Sequence, residues 1–168
     1  MGKNVQFAYD AAGNRTKITR EDLNAISYEY DALNRLSAVD ELLSNRRYTF
    51  AYDPSGRMTG RLYPNGVTSS YGYDAGGGLE KLEHRKADGA LLTSFAYAYD
   101  ANNNRVSMTD NLGTRQYVYD RLNRLIKAVY ASGRTQEFTY DPVGNRTKLT
   151  EEWPEILGKI NKVEGTLS

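Results

Sequence analysis

The sequence predicts an all-β protein, an antiparallel sheet of consecutive β-hairpins followed by a short C-terminal α-helix. Three observations carry this. The dipeptide Tyr-Asp returns at Tyr9-Asp10, Tyr30-Asp31, Tyr52-Asp53, Tyr73-Asp74, Tyr99-Asp100, Tyr119-Asp120 and Tyr140-Asp141, in steps of 21, 22, 21, 26, 20 and 21 residues. Fixed-period self-similarity of this kind marks a repeat architecture. An aromatic residue stands two places before every one of these tyrosines, and a turn-forming cluster follows every aspartate.

The incoming strand of each repeat is defined by its aromatics. The pairs are Phe7/Tyr9, Tyr28/Tyr30, Phe50/Tyr52, Tyr71/Tyr73, Tyr97/Tyr99, Tyr117/Tyr119 and Phe138/Tyr140, with Tyr48 and Phe95 extending two of them backwards. So 16 of the 18 Phe and Tyr residues fall on a period of two, which puts them on one face of a strand. Only Tyr63 and Tyr130 fall outside the comb. The intervening residues, Ala8, Glu29, Ala51, Gly72, Ala98, Val118 and Thr139, are mostly small or polar, as suits the opposite face.

The turn comes next. Segments such as Asp53-Pro54-Ser55-Gly56 and Asp141-Pro142-Val143-Gly144 combine a proline that presets φ, a glycine that accepts a positive φ, and a carboxylate able to bond the amides of the turn. Arg15, Arg35, Arg57, Arg105, Arg124 and Arg146 then open the return strands, so Asp and Arg are expected to face each other across the hairpin mouth. Further turn signals, Pro64-Asn65-Gly66, Asp88-Gly89, Leu112-Gly113 and Ser132-Gly133, join one hairpin to the next. The fourth repeat is irregular, with Ala75-Gly76-Gly77-Gly78 where an arginine is expected and a long segment from Leu79 to Leu92 that is read as a long hairpin.

Beyond residue 150 the character changes. Trp153, Ile156, Leu157, Ile160 and Val163 lie at helical spacing, with Pro154 suited to a first turn and Gly165 to a stop. The expected organisation is therefore a hairpin strip over residues 1–150 and an amphipathic helix with a tail over 151–168. Trp153, Ile156, Leu157 and Ile160 are the candidate capping or docking residues.

Composition narrows the function. The formal charge of +1 gives no electrostatic footprint for nucleic acid or an anionic membrane, and no apolar run is long enough to span a bilayer. There is no cysteine, hence no disulfide or thiolate metal site, and no signal-peptide pattern. His84 is the only histidine; it sits in the charged irregular segment and is read as a surface residue. The seven repeat aspartates share one turn context, whereas acid-base catalysis needs carboxyls in different environments. Asp100-Ala101-Asn102-Asn103-Asn104 echoes a calcium loop but carries Arg105 where the loop needs glycine. No catalytic, cofactor-binding or metal residue is assigned, and no cofactor is expected.

The recurring Tyr-Asp-x-x-Gly-Asn/Arg-Arg with its alternating aromatics resembles the YD repeats of rearrangement-hotspot (RHS) proteins and teneurins, over about residues 7 to 150. The resemblance implies a curved antiparallel strip, a segment of the hollow β-shell that encloses a C-terminal toxin in bacterial members and forms part of a cell-surface protein in teneurins. It implies a non-catalytic scaffold, secreted or cell-surface, whose partners are proteins: the rest of a shell, an enclosed polypeptide, or further copies of the chain. Complete shells use many more than seven repeats. The Asp-Pro-x-Gly segments follow repeat tyrosines in register and are read as ordinary turns, so no self-cleavage residue is transferred. The alternative reading is a cell-surface module that binds carbohydrate or protein through its aromatic face. Regular cross-strand ladders explain the comb without a ligand and are preferred.

Overall fold

A computed structural model describes residues 4–20, 25–156 and 159–166, with side chains as far as Pro154. Its elements are β1 (Val5–Tyr9), β2 (Arg15–Arg20), β3 (Ala25–Tyr30), β4 (Leu36–Glu41), β5 (Arg46–Tyr52), β6 (Met58–Leu62), β7 (Thr68–Tyr73), β8 (Leu79–Arg85), β9 (Leu91–Tyr99), β10 (Arg105–Asp110), β11 (Gly113–Tyr119), β12 (Leu125–Val129), β13 (Thr135–Tyr140), β14 (Arg146–Ile156) and β15 (Lys159–Thr166). The protein is all-β, as expected.

The chain divides into two compact units, one of Met1–Gly72 with Glu83–Leu92, the other of Tyr73–Leu82 with Thr93–Ser168. Within each, antiparallel strands lie in sequence order and, among the described residues, touch only their neighbours in sequence. A meander of this kind follows from the short turns, which leave no chain for a crossover.

One turn recurs at the mouth of every repeat. The amide of the repeat aspartate donates to the carbonyl four residues on, and the residue three after the aspartate donates back to the aspartate carbonyl, at 2.8–3.1 Å in all seven repeats. That third residue is Gly13, Asn34, Gly56, Gly77, Asn103, Asn123 or Gly144, always at positive φ. Only glycine and asparagine occupy it because a left-handed backbone crowds other side chains. The pairing slips by one residue at the tyrosine itself, as at Ala8/Tyr9, Glu29/Tyr30 and Thr139/Tyr140. This is a type I turn closed by a bulge.

At the opposite edge Tyr63–Val67, Lys86–Ala90 and Tyr130–Arg134 make the same pattern of bonds. Turns there nest against each other: a Cβ on Gly66 would lie 2.5 Å from the Ala87 Cβ, and one on Gly113 equally close to that of Ala131. The long hairpin expected from Leu79 onward is found as β8, the Lys86–Ala90 turn and β9.

The core is thin. Among the described residues only Ala38, Ala128 and Ser69 are fully buried, while Phe7, Tyr9 and Trp153 are exposed and most other aromatics half-buried. With no second layer among the described residues of either unit, the sheet is held by its ladders and by contacts running from hairpin to hairpin.

The C-terminal segment departs from expectation. Where a helix was predicted over 151–168, β14 continues to Ile156 and β15 covers Lys159–Thr166. Trp153 and Ile156 lie on β14, Ile160 lies on β15, and Leu157 falls outside the described residues. The helical spacing was real, but a helix there leaves the backbone edge of β14 unpaired. Strand pairing from Lys148↔Thr166 to Ile156↔Lys159 satisfies it instead. Ile156, Ile160 and Val163 are β-branched and favour the extended state. Pro154 falls where the register shifts between Trp153 and Ile156, a place inside a strand that tolerates its missing amide.

Candidate functional site

The chemistry of this chain is concentrated along the edge of the sheet that carries the Tyr-Asp turns. Each repeat aspartate closes its own turn. Asp10 Oδ1 accepts the amides of Ala12 and Asn14, and Asp10 Oδ2 accepts the Asn14 side-chain amide at 3.0 Å. Asp100 and Asp141 hold Asn104 and Asn145 in the same way. In three other repeats the fourth position is arginine, and Arg35, Arg57 and Arg124 donate Nε to Asp31, Asp53 and Asp120 at 2.7–2.8 Å.

The expected Asp-Arg pair therefore forms where arginine follows the aspartate by four residues. Where it follows by five, asparagine takes the carboxylate and the arginine turns to the rings. The Arg15 guanidinium lies over Tyr28, Arg105 over Tyr97 and Tyr117, and Arg146 over Phe138, at 5.0–5.8 Å. In the fourth repeat Gly78 replaces both, because the Tyr99 ring packs directly on it; a Cβ there would meet Asp74 Oδ2 at 2.8 Å and the Tyr99 ring at 3.1 Å.

These bonds set the charge state of the edge. The Asn14, Asn104 and Asn145 side chains, the Arg57 guanidinium, and the Arg35 and Arg124 backbone amides are the leading groups that hold Asp10, Asp100, Asp141, Asp53, Asp31 and Asp120 below the ordinary carboxylate range. All act alike, and none is poised as a general acid.

The repeat tyrosines join one hairpin to the next. Tyr30, Tyr52, Tyr99, Tyr119 and Tyr140 donate their hydroxyls to the carbonyls of Arg15, Leu36, Leu79, Arg105 and Leu125, at 2.7–3.0 Å. Every acceptor is the fifth residue after the aspartate of the preceding repeat. The fourth-position side chains add a second connection. Arg35 and Arg124 donate Nη1 to the carbonyls of Asp53 and Asp141 in the next turn and stack on Tyr52 and Tyr140. Asn14 and Asn104 donate to the side-chain oxygens of Asn34 and Asn123. Burial pushes the Tyr97 and Tyr119 phenols up.

His84 is not the surface residue that its charged neighbours suggested. It is half-buried on β8, with Nδ1 2.7 Å from the Oγ of the fully buried Ser69. Among the described residues no carboxylate bonds the ring and Ser69 is closed to a substrate, so the pair lacks the orienting group and accessible nucleophile of a hydrolytic site. Among the described residues no cluster of His, Asp and Glu could hold a metal ion, and no helix is long and apolar enough to cross a membrane.

Comparison with known proteins fits this architecture. The RHS Repeat family profile matches residues 9–42, 52–91, 99–135 and 119–152. The chain is 32% identical over 152 residues to the tRNA3(Ser)-specific nuclease WapA of Bacillus spizizenii, covering 89% of this chain and 6% of that protein. It is 27% identical over 151 residues to the double-stranded DNA deaminase toxin A of Burkholderia cenocepacia, covering 82% of this chain and 10% of that protein. Among solved structures, the TcdB2-TccC3-Cdc42 crystal structure matches with a TM-score of 0.82 at 20% identity, over 98% of this chain and 10% of the other. The Photorhabdus luminescens Tc holotoxin pore matches at 0.80 and 20% identity, over 96% of this chain and 9% of the other. The chain thus spans a tenth or less of the length of these proteins.

Proposed function

Because the chain belongs to the RHS repeat family, we propose that it serves as a stretch of β-shell wall that encloses or displays another polypeptide and performs no chemistry of its own. One observation carries this reading. The polar groups of the repeat edge are spent on joining each hairpin to the next, through the tyrosine hydroxyls and the fourth-position side chains, so the repeats form equivalent joints and no singular site. An enzyme concentrates unlike environments in one place; this edge repeats one environment.

The nuclease and deaminase named among the relatives are proteins at least ten times longer than the matched stretch, and we assign those activities to the parts that this chain does not cover. A protein partner fits the half-buried aromatic face, since a sheet without a second layer needs another surface to finish burying it. The same reading places the chain outside the cell or at its surface, carried there as part of a larger secreted assembly.

Light scattering combined with small-angle X-ray scattering and a hydrophobic dye tests the proposal. The purified chain is expected to self-associate or to bind the dye strongly. A compact, monodisperse monomer that binds no dye would mean that the chain finishes its own core, and the wall reading would fall. Turnover of any substrate that disappears in His84→Ala would equally overturn the non-catalytic part.

A further inference from the structure

Seven arginines among the described residues are half-buried. Six of them, Arg35, Arg57, Arg85, Arg115, Arg124 and Arg134, hold a carboxylate at 2.7–3.3 Å. Arg61 holds none. Taking a guanidinium out of water without a counter-charge is costly, so such a charge is ordinarily answered. Arg15, Arg105 and Arg146 also lie over rings without a carboxylate, but they are exposed and water answers them.

The ladder explains why Arg61 is left alone. On β6 it stands opposite Phe50 of β5 on one side and Ser69 of β7 on the other, which places it on the aromatic face between two uncharged neighbours. Its guanidinium lies 4.5 Å from the ring centroid of Tyr63, 5.4 Å from that of Phe50 and 5.7 Å from that of Tyr48. Its Nε is buried and meets no acceptor among the described residues. The Ser69 hydroxyl is already engaged with His84 Nδ1. All of these residues belong to the first unit.

The second unit holds the same arrangement in finished form. Arg134 lies over Tyr130 at 4.7 Å and Trp153 at 4.9 Å, and its Nε is likewise buried without an acceptor. There Glu151 of β14 supplies the carboxylate at 2.7 Å. The first unit has the cage and the cation but not the acid.

We propose that Arg61 anchors an acidic side chain, an aspartate or glutamate set among apolar residues, of the polypeptide that covers the aromatic face of the first unit. The two Nη groups of a guanidinium form a planar fork that donates to a carboxylate in parallel. The rings of Tyr48, Phe50 and Tyr63 hold that fork in place and take the apolar residues beside the acid. The inference rests on the wall reading, since it names the chemistry of what the wall faces.

Titration of the full chain with N-acetyl-Leu-Glu-Leu-amide, followed through the NMR resonances of the Arg61 Nε–H and the Tyr63 ring, tests it, with the Leu-Gln-Leu analogue and acetate as separate arms. The glutamate peptide is expected to shift both resonances, and the glutamine peptide to bind about tenfold more weakly for want of the charge-assisted bond. Acetate, which brings no apolar neighbours, should bind more weakly than the glutamate peptide. Arg61→Met should bring the glutamate peptide down to the glutamine level. The comparison of the two peptides on the parent chain needs no variant and decides the matter if Arg61→Met does not fold. The assignment is overturned if the two peptides bind alike, if acetate matches the glutamate peptide, or if Arg61→Met keeps the preference. It is also overturned if Arg61→Met reduces self-association under light scattering, because the carboxylate then comes from a second copy. Dye binding by the same sample separates the two readings: a chain that binds dye without preferring the glutamate peptide loses the Arg61 assignment alone, and one that binds no dye loses the wall and the assignment with it.

Discussion

If the tyrosine hydroxyls join the repeats, replacing a repeat tyrosine by phenylalanine should loosen the sheet while leaving every ring in place. Tyr52 and Tyr140 are the sharpest cases, since their donors reach the half-buried carbonyls of Leu36 and Leu125 at 2.9 and 2.7 Å. A neutral hydrogen bond of this kind contributes about 1 kcal/mol net, and the carbonyl left behind keeps part of its deficit because water reaches it incompletely. Each of Tyr52→Phe and Tyr140→Phe should therefore destabilise its unit by about 1 to 2 kcal/mol. With a urea slope of about 2 kcal/mol per molar, the unfolding midpoint falls by roughly 0.5 to 1 M. Tyr28→Phe and Tyr117→Phe are the matched controls. These rings sit on the same face beneath arginines, but their hydroxyls make no hydrogen bond among the described residues. They should change stability by less than about 0.5 kcal/mol. Equal midpoint shifts for the two pairs, measured by urea titration under circular dichroism, would refute the claim that the hydroxyls rather than the rings hold the hairpins together.

Two further outcomes follow from the turns. Asp10, Asp31, Asp53, Asp100, Asp120 and Asp141 have folded pKa values below their unfolded ones, so their stabilisation is fully present above a pH of roughly 4 and is lost as pH falls through the depressed folded values. Near-UV circular dichroism from neutrality into acid should stay flat down to that region and then fall; a loss centred above a pH of about 5 would contradict it. Gly66→Ala should destabilise more than Gly13→Ala. Both glycines have a positive φ, but only the Gly66 Cβ would strike Ala87, at 2.5 Å, whereas nothing lies within 4 Å of the other. The excess, about 1 kcal/mol or more for an overpacked contact, should shrink in Gly66→Ala combined with Ala87→Gly.

The letters of the sequence carried the strands well because both signals there are local. A ring at every second position fixes the face, and an aspartate with glycine or asparagine three places on fixes the turn. What they could not carry was the partner of each tyrosine hydroxyl, which is a backbone carbonyl in the preceding repeat and so has no residue type to betray it. The split between Asp-Arg and Asp-Asn turns was visible as spelling, in Asp31 to Arg35 against Asp10 to Asn14, but not as geometry. The rule is the one-residue offset of the arginine. At the fourth place its guanidinium meets the carboxylate, and at Arg35 and Arg124 the next repeat's tyrosine ring as well, while at the fifth it meets rings and leaves the carboxylate to asparagine. At the C-terminal end the spacing of Trp153, Ile156, Leu157 and Ile160 pointed to a helix because periodicity ignores the neighbour; the unpaired edge of β14 outweighed it. His84 was misjudged for the related reason that its charged neighbours in sequence are not its neighbour in space, Ser69.

The acceptor in each hairpin joint is main chain, and main chain is the same whichever residue supplies it: Arg15, Leu36, Leu79, Arg105 and Leu125 serve alike. Through its tyrosine hydroxyl a repeat therefore recognises its predecessor by position and not by identity. Copying, removing or exchanging a whole repeat at the Tyr-Asp boundary presents the same carbonyl to the same hydroxyl, while a change of a few residues within a repeat breaks the joint on both sides. Chains built this way can lengthen, shorten and recombine in quanta of one hairpin without redesigning the tyrosine joint, though the side-chain links between repeats depend on which residues meet.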